Sequence, residues 1–534
     1  MTVRTNLGSV LEHLVRGSTS ASHHLRWPPD VFAICAYLLK LTGGYVQVLR
    51  EWPPRGAHQS HPVGARWDAW TREEGLAWRR AATRRRAVIP ASVLELWDRI
   101  VSAADKPIAT ALGDRAVVTA LLQLVALADE ASAGVGIPQS MKDPFRTRAL
   151  ELLAGIGTHR ASTLSPLLAP SQLRVLPKQH TPRGGLTLRS LTHHLALHVG
   201  TEVTPFWYTV PQSTTDRSLN LLIAPWPLSL RPSQFRPATG ALHDMPARFG
   251  FVELTLDEDP RRVASWTAAL IDEAVRIGGR VDGVVFPEAA LSKSEYQQVR
   301  TTVLERGAFL IAGVMRKEKK GPPSNLVMFD AVRAGETMNV EQRKHHRWRL
   351  DRGQIEMYGL GGTLDPTRDW WEHIALERRE VHFVALNEEV SLCCLVCEDL
   401  ARQDPVAELV RSVGPNLVVA LLMDAPQLGV RWPARYATVL ADDPGSSVLT
   451  VTSAGMVDLT RPPRSARPSR SVGLWKDARS DFVELELPTG ADGLFLSLCT
   501  EVVEEWTADG RSDRGVTGYP RLGGVHAVRV AKRV

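Results

Sequence analysis

Between Val31 and Trp52, Trp67 and Arg86, Ala91 and Ala104, and Arg115 and Ala133, apolar residues recur at three- and four-residue spacing, which predicts four amphipathic helices. Glycine, proline and aspartate separate them. From about residue 166 the pattern changes: Gln172–Pro177 reads as a short strand and Thr187–His198 as a helix. Beyond residue 218 it changes again, to short apolar runs of strand length at Leu219–Ala224, Val281–Phe286, Ala308–Val314, Asn325–Phe329, Leu417–Leu422 and Ser447–Thr452. Amphipathic helices over Asp259–Gly278 and Ser292–Gly307 fall between them, and Phe482–Leu487 and Gly493–Leu498 read as a later strand pair. The Pro-rich stretch Pro225–Pro246 reads as a loop insertion. Strands alternating with helices predict a layered α/β domain. The expected organisation is a helical domain over 1–165, a connecting segment over 166–217 and an α/β domain over 218–534.

A chain of 534 residues with 44% hydrophobic and 23% charged residues reads as a globular protein of two or three domains. No run approaches the length of a membrane span, and the first residues lack the apolar core of a signal peptide. Five cysteines, three of them within Cys393–Cys397, make no disulfide framework, so a reducing cytoplasm is the expected compartment. Residues 1–210 hold 24 Lys+Arg against 15 Asp+Glu, whereas the remainder holds 40 against 43. The basic excess belongs to the first part, where Arg79-Arg80-Ala-Ala-Thr-Arg84-Arg85-Arg86 could touch nucleic-acid phosphates or could equally be a solvated helix face. A protein partner for residues 1–210 is the other expectation.

The chemistry-bearing stretch is Val390-Ser-Leu-Cys-Cys-Leu-Val-Cys397-Glu-Asp-Leu-Ala-Arg402. A buried strand ends on Cys397, acidic residues follow, and a helix is expected with Asp404 as N-cap and Pro405 at its first position. A cysteine at a strand-to-helix turn is presented at the sheet edge, where backbone N–H groups converge. Its thiol, only a few per cent ionised at neutral pH, needs a base and an anion stabiliser. Two residues stand out as partners: Glu288, closing Val-Val-Phe-Pro-Glu, and Lys344, within Glu341-Gln-Arg-Lys-His-His-Arg. Lys317, Lys319 and Lys320 are rivals for the cation but lie in a Gly-Pro loop. His193, His194 and His198 fall on one expected helix, with a packed or surface cluster favoured over a metal pair. Cys394 and Cys397 could form a redox pair or half a zinc site, without a second pair to complete it. Phosphate-loop, dinucleotide and Gly-x-Ser-x-Gly patterns are missing, and neither cofactor nor metal is expected.

Taken in order, strand-Pro-Glu288, the basic Lys344 segment and strand-Cys397-Glu398-Asp399 resemble the nitrilase (carbon–nitrogen hydrolase) superfamily over residues 218 to about 530. The later stretches Gly414-Pro-Asn-Leu-Val-Val-Ala and Val448-Leu-Thr-Val-Thr-Ser-Ala-Gly455 are similar to the segments that follow its cysteine. The resemblance implies an α-β-β-α sandwich, here preceded by a mainly helical domain, and a homo-oligomer. It implies Glu288 as general base, Cys397 as nucleophile, and Lys344 with the backbone N–H of Glu398 as oxyanion stabilisers. It further implies a second glutamate shortly after the lysine, for which Glu356 is the candidate beside Glu341 and Asp351, and it places Asp399 near the site. The function so implied is hydrolysis of a non-peptide C–N bond, in a small amide or nitrile, through an acyl-thioester. A glutaminase or N-acyltransferase on the same fold is a rival. The alternative from another class is a nitrilase-like regulatory or binding module of a bacterial multidomain system, of the defence or reverse-transcriptase-associated kind.

Overall fold

The computed structural model describes residues 6–15, 24–46, 65–84, 88–138, 143–155, 162–210, 218–238, 246–333, 335–460 and 469–530. Helices dominate its first part, at Leu7–Leu14, Pro28–Thr42, Ala65–Thr83, Ala91–Val101, Arg115–Ala131 and Pro144–Leu153. The first and last of these are additions to the four that spacing predicts. Asn6, Asp114 and Asp143 cap three of them by accepting backbone N–H bonds, and Pro144 begins the last. Among the described residues no helix is long and apolar enough to cross a membrane.

Two large sheets make up the α/β part. The first runs Glu336–Arg343, Ser324–Arg333, Phe309–Arg316, Gly283–Val285, Ser218–Ile223, Gly493–Val503, Thr517–Val528. In the second the order is Val483–Glu486, Ser471–Lys476, Ser447–Val451, Leu417–Leu421, Ser391–Val396, Arg379–Ala385, Val203–Thr209. Side chains of the first sheet alternate between two cores, as the two-residue period of a strand requires. Leu221, Ile223, Ile311, Val327 and Phe329 share a core with the second sheet. Leu222, Leu310, Leu326 and Met328 pack instead with Val263, Trp266, Leu270 and Val299 of the helices Pro260–Gly278 and Lys293–Glu305. The two sheets are also tied by a polar bridge: Gln342 donates from Nε2 to the carbonyl of Cys394 (2.9 Å) and accepts from the N–H of His382 (3.0 Å).

Three expectations are corrected. Thr187–His198 is not a helix: a capping box on Thr187 closes one short turn at Leu188–Leu191, and Leu195–His198 is a strand paired with Arg174–Pro177. The N–H groups of His193, His194 and Leu195 donate to the buried carboxylate of Asp129 (2.7, 2.9 and 2.9 Å), which takes the donors a helix would have used. The segment 166–217 does more than connect, because its strand Val203–Thr209 forms the edge of the second sheet, parallel to Arg379–Ala385. Pro225–Pro246 contributes Phe235–Pro237 to a third sheet with Phe249–Leu254, Asp369–Glu372 and Arg349–Leu350.

Candidate active site

Three strand ends converge at one place. The strand Gly283–Val285 stops before Pro287-Glu288, and Ala289 follows with φ +50°. This turn lies directly on Gly313 of the neighbouring strand, where an added Cβ would meet the Pro287 carbonyl at 2.2 Å and Glu288 Cα at 2.5 Å. Only glycine lets the backbone of Glu288 settle there. Lys344 follows the strand Glu336–Arg343 and is fixed by its N–H to the Asn325 carbonyl (2.9 Å). Cys397 follows the strand Ser391–Val396, its N–H bonded to the Leu421 carbonyl (2.9 Å) of the adjacent strand. Its backbone sits at φ +47°, ψ −107°, and the helix Glu398–Ala401 starts at the next residue. A non-glycine residue at positive φ carries strain that the surrounding structure must overcome, and such residues cluster at reacting centres. The helix expected at Asp404 is accordingly split: Asp404 is itself extended (φ −98°, ψ 138°), and regular helix resumes at Glu408–Val413.

The side chains meet around one ammonium. Lys344 Nζ donates to Glu288 Oε1 (2.7 Å) and to Glu372 Oε2 (2.6 Å). Asn325 Nδ2 donates to Oε1 of both carboxylates, at 2.8 Å each, and the Trp348 N–H reaches Glu372 Oε2 (3.1 Å). Glu372 therefore has both oxygens engaged, whereas Glu288 Oε2 is buried and without a partner among the described residues. Burial alone would lower the lysine, but Glu288, Glu372 and the Cys397 sulfur outweigh it and hold Lys344 well above its ordinary value. Burial raises Glu288, and Lys344 pulls it only part of the way back. Burial and then the Glu288 carboxylate push the Cys397 thiol well up, with Lys344 opposing. The resting thiol is thus protonated, and the carboxyl group whose charge it feels keeps one buried oxygen without a partner among the described residues.

Asp399 is a tie rather than a reactant. Its buried carboxylate accepts the His345 N–H at 3.2 and 3.1 Å and faces His346 Nδ1 at 2.9 Å. It thereby holds the residue after Lys344 to the second residue after Cys397. The Glu398 side chain points away to Arg402 (3.1 Å), while its N–H, as the first of a helix, has no acceptor within that helix. Glu356 is not brought to the cluster: it is exposed and paired with Arg352 (2.8 Å). The second carboxylate on Lys344 is that of Glu372. Glu341 is engaged by Arg316, Asp351 caps the helix Arg352–Met357, and Lys317 lies exposed by Glu258. The signal for Glu372 was its place in Asp369-Trp-Trp-Glu, where the buried positions alternate and a glutamate takes an inward one. Cys393 and Cys394 are buried strand residues whose thiols burial pushes up, which suits inert packing. Among the described residues no group of three or more His, Cys, Asp or Glu could hold a metal ion.

Comparison with solved structures adds a likeness of fold. Over about half of its length the chain is similar to solved structures described as nitrilase-superfamily or carbon–nitrogen hydrolase proteins. A Saccharomyces cerevisiae member of branch 10 of that superfamily matches at 13% identity with a TM-score of 0.34, over 54% of this chain and 93% of its own. An amidase from Nesterenkonia matches at 12% identity and a TM-score of 0.32, over 54% and 91% respectively. For a carbon–nitrogen hydrolase from Helicobacter pylori the figures are 11% and 0.31, over 53% and 89%. The N-terminal part has no counterpart in these structures. No protein-family model and no curated protein matches the sequence.

Proposed function

We propose that this protein is a thiol hydrolase of a non-peptide C–N bond, built on an α-β-β-α sandwich, with Glu288, Lys344 and Cys397 as its reacting groups. One observation carries the reading: a fully buried lysine clamped between two carboxylates, one of which keeps an unpartnered oxygen, in electrostatic contact with a cysteine on a strained strand-to-helix turn. A structural ion pair would have no use for the free oxygen, since a buried acceptor left unsatisfied costs stability.

In the proposed reaction the Cys397 proton passes to Glu288 Oε2 as sulfur attacks the carbonyl carbon. Lys344 Nζ and the Glu398 N–H stabilise the oxyanion that forms. Glu288 returns the proton to nitrogen, the C–N bond breaks, and an acyl-thioester remains. Water, deprotonated by the same carboxylate, then attacks the thioester and releases the acid and the thiol. Glu372 and Asn325 act through Lys344 and Glu288, holding the ammonium and the base in position. Because the thiol is protonated at rest, the base has to act in the step itself.

The test is alkylation of Cys397 by iodoacetamide, followed by mass spectrometry, in the full chain and in Glu288→Gln. The reading expects Cys397 to react well ahead of Cys393 and Cys394, and more slowly once Glu288 is replaced. Ammonia release from a panel of primary amides and nitriles should vanish in Cys397→Ala. Alkylation indifferent to Glu288 would sink the triad.

A further inference from the structure

Cys397 closes one strand, and the next strand of the same sheet leads to a carboxylate that the reaction above leaves idle. Ser391–Val396 and Leu417–Leu421 run parallel with Val396 level with Leu421, and the Cys397 N–H reaches the Leu421 carbonyl (2.9 Å). In that register Leu422 comes level with Cys397, and Asp424 follows two residues later at the same edge of the sheet. Ligands of α/β sheets gather beyond the carboxyl ends of parallel strands. Thr452 fixes the Asp424 backbone from both sides, its hydroxyl accepting the Asp424 N–H (3.2 Å) and donating to the Asp424 carbonyl (2.7 Å). The side chain is held through one oxygen. Tyr358 Oη (2.8 Å) and Arg431 Nη2 (2.9 Å) both donate to Oδ1, and Tyr358 Oη accepts the Ala425 N–H (3.1 Å). Asp424 is 6% exposed, and its Oδ2 is buried with no partner among the described residues.

Oδ1 alone completes the tie between Tyr358, Arg431 and the strand end, so that role leaves Oδ2 unexplained. A buried acceptor without a donor costs stability. The nucleophile gains nothing from it either. Burial and Glu288 raise the Cys397 thiol, Lys344 opposes them, and the Asp424 carboxylate adds to the rise, so it works against the thiolate. A group that costs stability and opposes the nucleophile points to a ligand that cancels both effects.

We propose that Asp424 Oδ2 binds an ammonium group on the part of the substrate that stays on sulfur, so that the compound hydrolysed is a cationic one with an amine in its acyl part. This rests on the thiol-hydrolase reading above and names the charge of its substrate. Glu288 and Lys344, which serve the leaving nitrogen and the oxyanion in that reading, follow strands of the other sheet, whereas Asp424 shares the sheet of Cys397. The charges agree. The carboxylates of Glu288, Glu372 and Asp424 are paired with two cations, Lys344 and Arg431, which leaves room for one more positive charge. An ammonium donates to Oδ2 a hydrogen bond about twice as strong as a neutral donor gives. By cancelling the Asp424 charge it also lets Cys397 ionise more readily once such a substrate is bound.

The experiment compares two thiol reagents of nearly equal size at neutral pH, aminoethyl methanethiosulfonate and propyl methanethiosulfonate. In each, the Cys397 sulfur forms a disulfide bond to the reagent's divalent sulfur and the bond from that sulfur to the sulfonyl group breaks. Methanesulfinate leaves with the electron pair, and the thiol proton goes to Glu288. Rates of Cys397 modification in the full chain are followed by mass spectrometry and divided by those of free cysteine. The proposal expects the ammonium reagent to be favoured by about tenfold, the effect of a hydrogen bond between charged groups. Asp424→Asn should bring the ratio close to one while the propyl reagent reacts no more slowly, because the charge opposing the thiolate is gone. Asp424→Ser gives a second route to the same result, and thermal unfolding checks that each variant is folded. A ratio near one in the unaltered chain, or a ratio that both substitutions leave unchanged, overturns the ammonium site. Should the propyl reagent modify Cys397 no faster in the unaltered chain than in Glu288→Gln, the thiol-hydrolase reading fails instead.

Discussion

Replacing Lys344 by methionine separates structural from chemical roles at the cluster. The change keeps the volume of a fully buried side chain but removes the charge between Glu288 and Glu372. Breaking a buried ion pair by deleting one partner costs about 3–5 kcal/mol, which lowers Tm on the order of 5–10 °C. The cost depends on pH, and its sign follows from the groups left behind. In the unaltered protein Lys344 is held above its ordinary 10.5, so its contribution is complete below that value and is lost only as pH rises through the elevated one. In Lys344→Met the Glu288 carboxyl faces Glu372 without a cation, and burial and the neighbouring carboxylate raise it further. Glu288, with an ordinary value of 4.5, is already raised with the lysine present. The folded variant therefore binds protons that the unfolded chain releases above about pH 4.5, and its stability falls as pH rises. Thermal unfolding at pH 5 and pH 8 should show the larger loss at pH 8. Glu288→Gln added to Lys344→Met should recover much of it, because a neutral amide replaces a buried charge. Activity should not recover, since losing an oxyanion donor alone costs about 10²–10³ in rate. Equal losses at both pH values, or a double variant no more stable than the single one, would refute the buried-charge argument.

Cys397→Gly should be inactive yet at least as stable as the parent, because glycine adopts the positive φ at that turn without strain; chemical denaturation measures this. Gly313→Ala should fold but lose most activity, since its methyl group would collide with the Pro287 carbonyl and displace Glu288; a crystal structure and the iodoacetamide rate both report it. Burial would raise Glu505, but His180, Tyr519 and the Thr181 N–H outweigh it and pull the carboxyl down to about 2. Its contribution, roughly 3 kcal/mol for a buried group, is present above its ordinary 4.5 and lost as pH falls towards 2. Glu505→Gln should accordingly cost stability at pH 7 and little at pH 2.5, in denaturant titrations at the two values.

Glu288 and Cys397 stand out in the sequence because each follows a strand that is buried on both faces and reads as an unbroken apolar run, whereas Lys344 follows the largely exposed strand Glu336–Arg343 and stands out only by its basic neighbours and the family resemblance. Glu372 does not stand out in the same way. That residue sits on a four-residue strand whose neighbours, Phe249–Leu254 and Arg349–Leu350, come from distant parts of the chain. A short strand pinned by non-local pairing leaves a weak local pattern, here the four residues Asp369-Trp-Trp-Glu with Trp370 and Glu372 at the inward positions. Glu356 was favoured by its distance from Lys344 along the chain, yet the helix Arg352–Met357 turns its side chain to solvent. The helix expected at Thr187–His198 failed for a related reason: Asp129, some sixty residues earlier, claims its backbone donors.

Charge counting places a basic excess before residue 166, and at least one of those charges is used internally. Arg79 donates to the carbonyls of Ala131 (2.9 Å) and Ala133 (2.8 Å) and pairs with Asp143, so it is not available to a phosphate. Arg84 is exposed, and Arg85 and Arg86 lie outside the described residues. Nor does the chain break physically near residue 165. Trp207 donates across that point to the carbonyl of Gly136 (2.8 Å), and Trp67 reaches Asp509 Oδ2 (3.0 Å) near the far end of the sequence. Arg511, fully buried, meets Asp129 (3.2 Å), Glu130 (3.0 Å) and Asp509 (3.2 Å) together. Asp129 in turn holds the turn that feeds Leu195–His198, and the next strand, Val203–Thr209, lies two places from the strand that presents Cys397. A domain boundary is a place where few contacts cross. Here buried charges and apolar side chains cross it in number, so the helices are part of the frame that holds the nucleophile's sheet rather than an attachment to it.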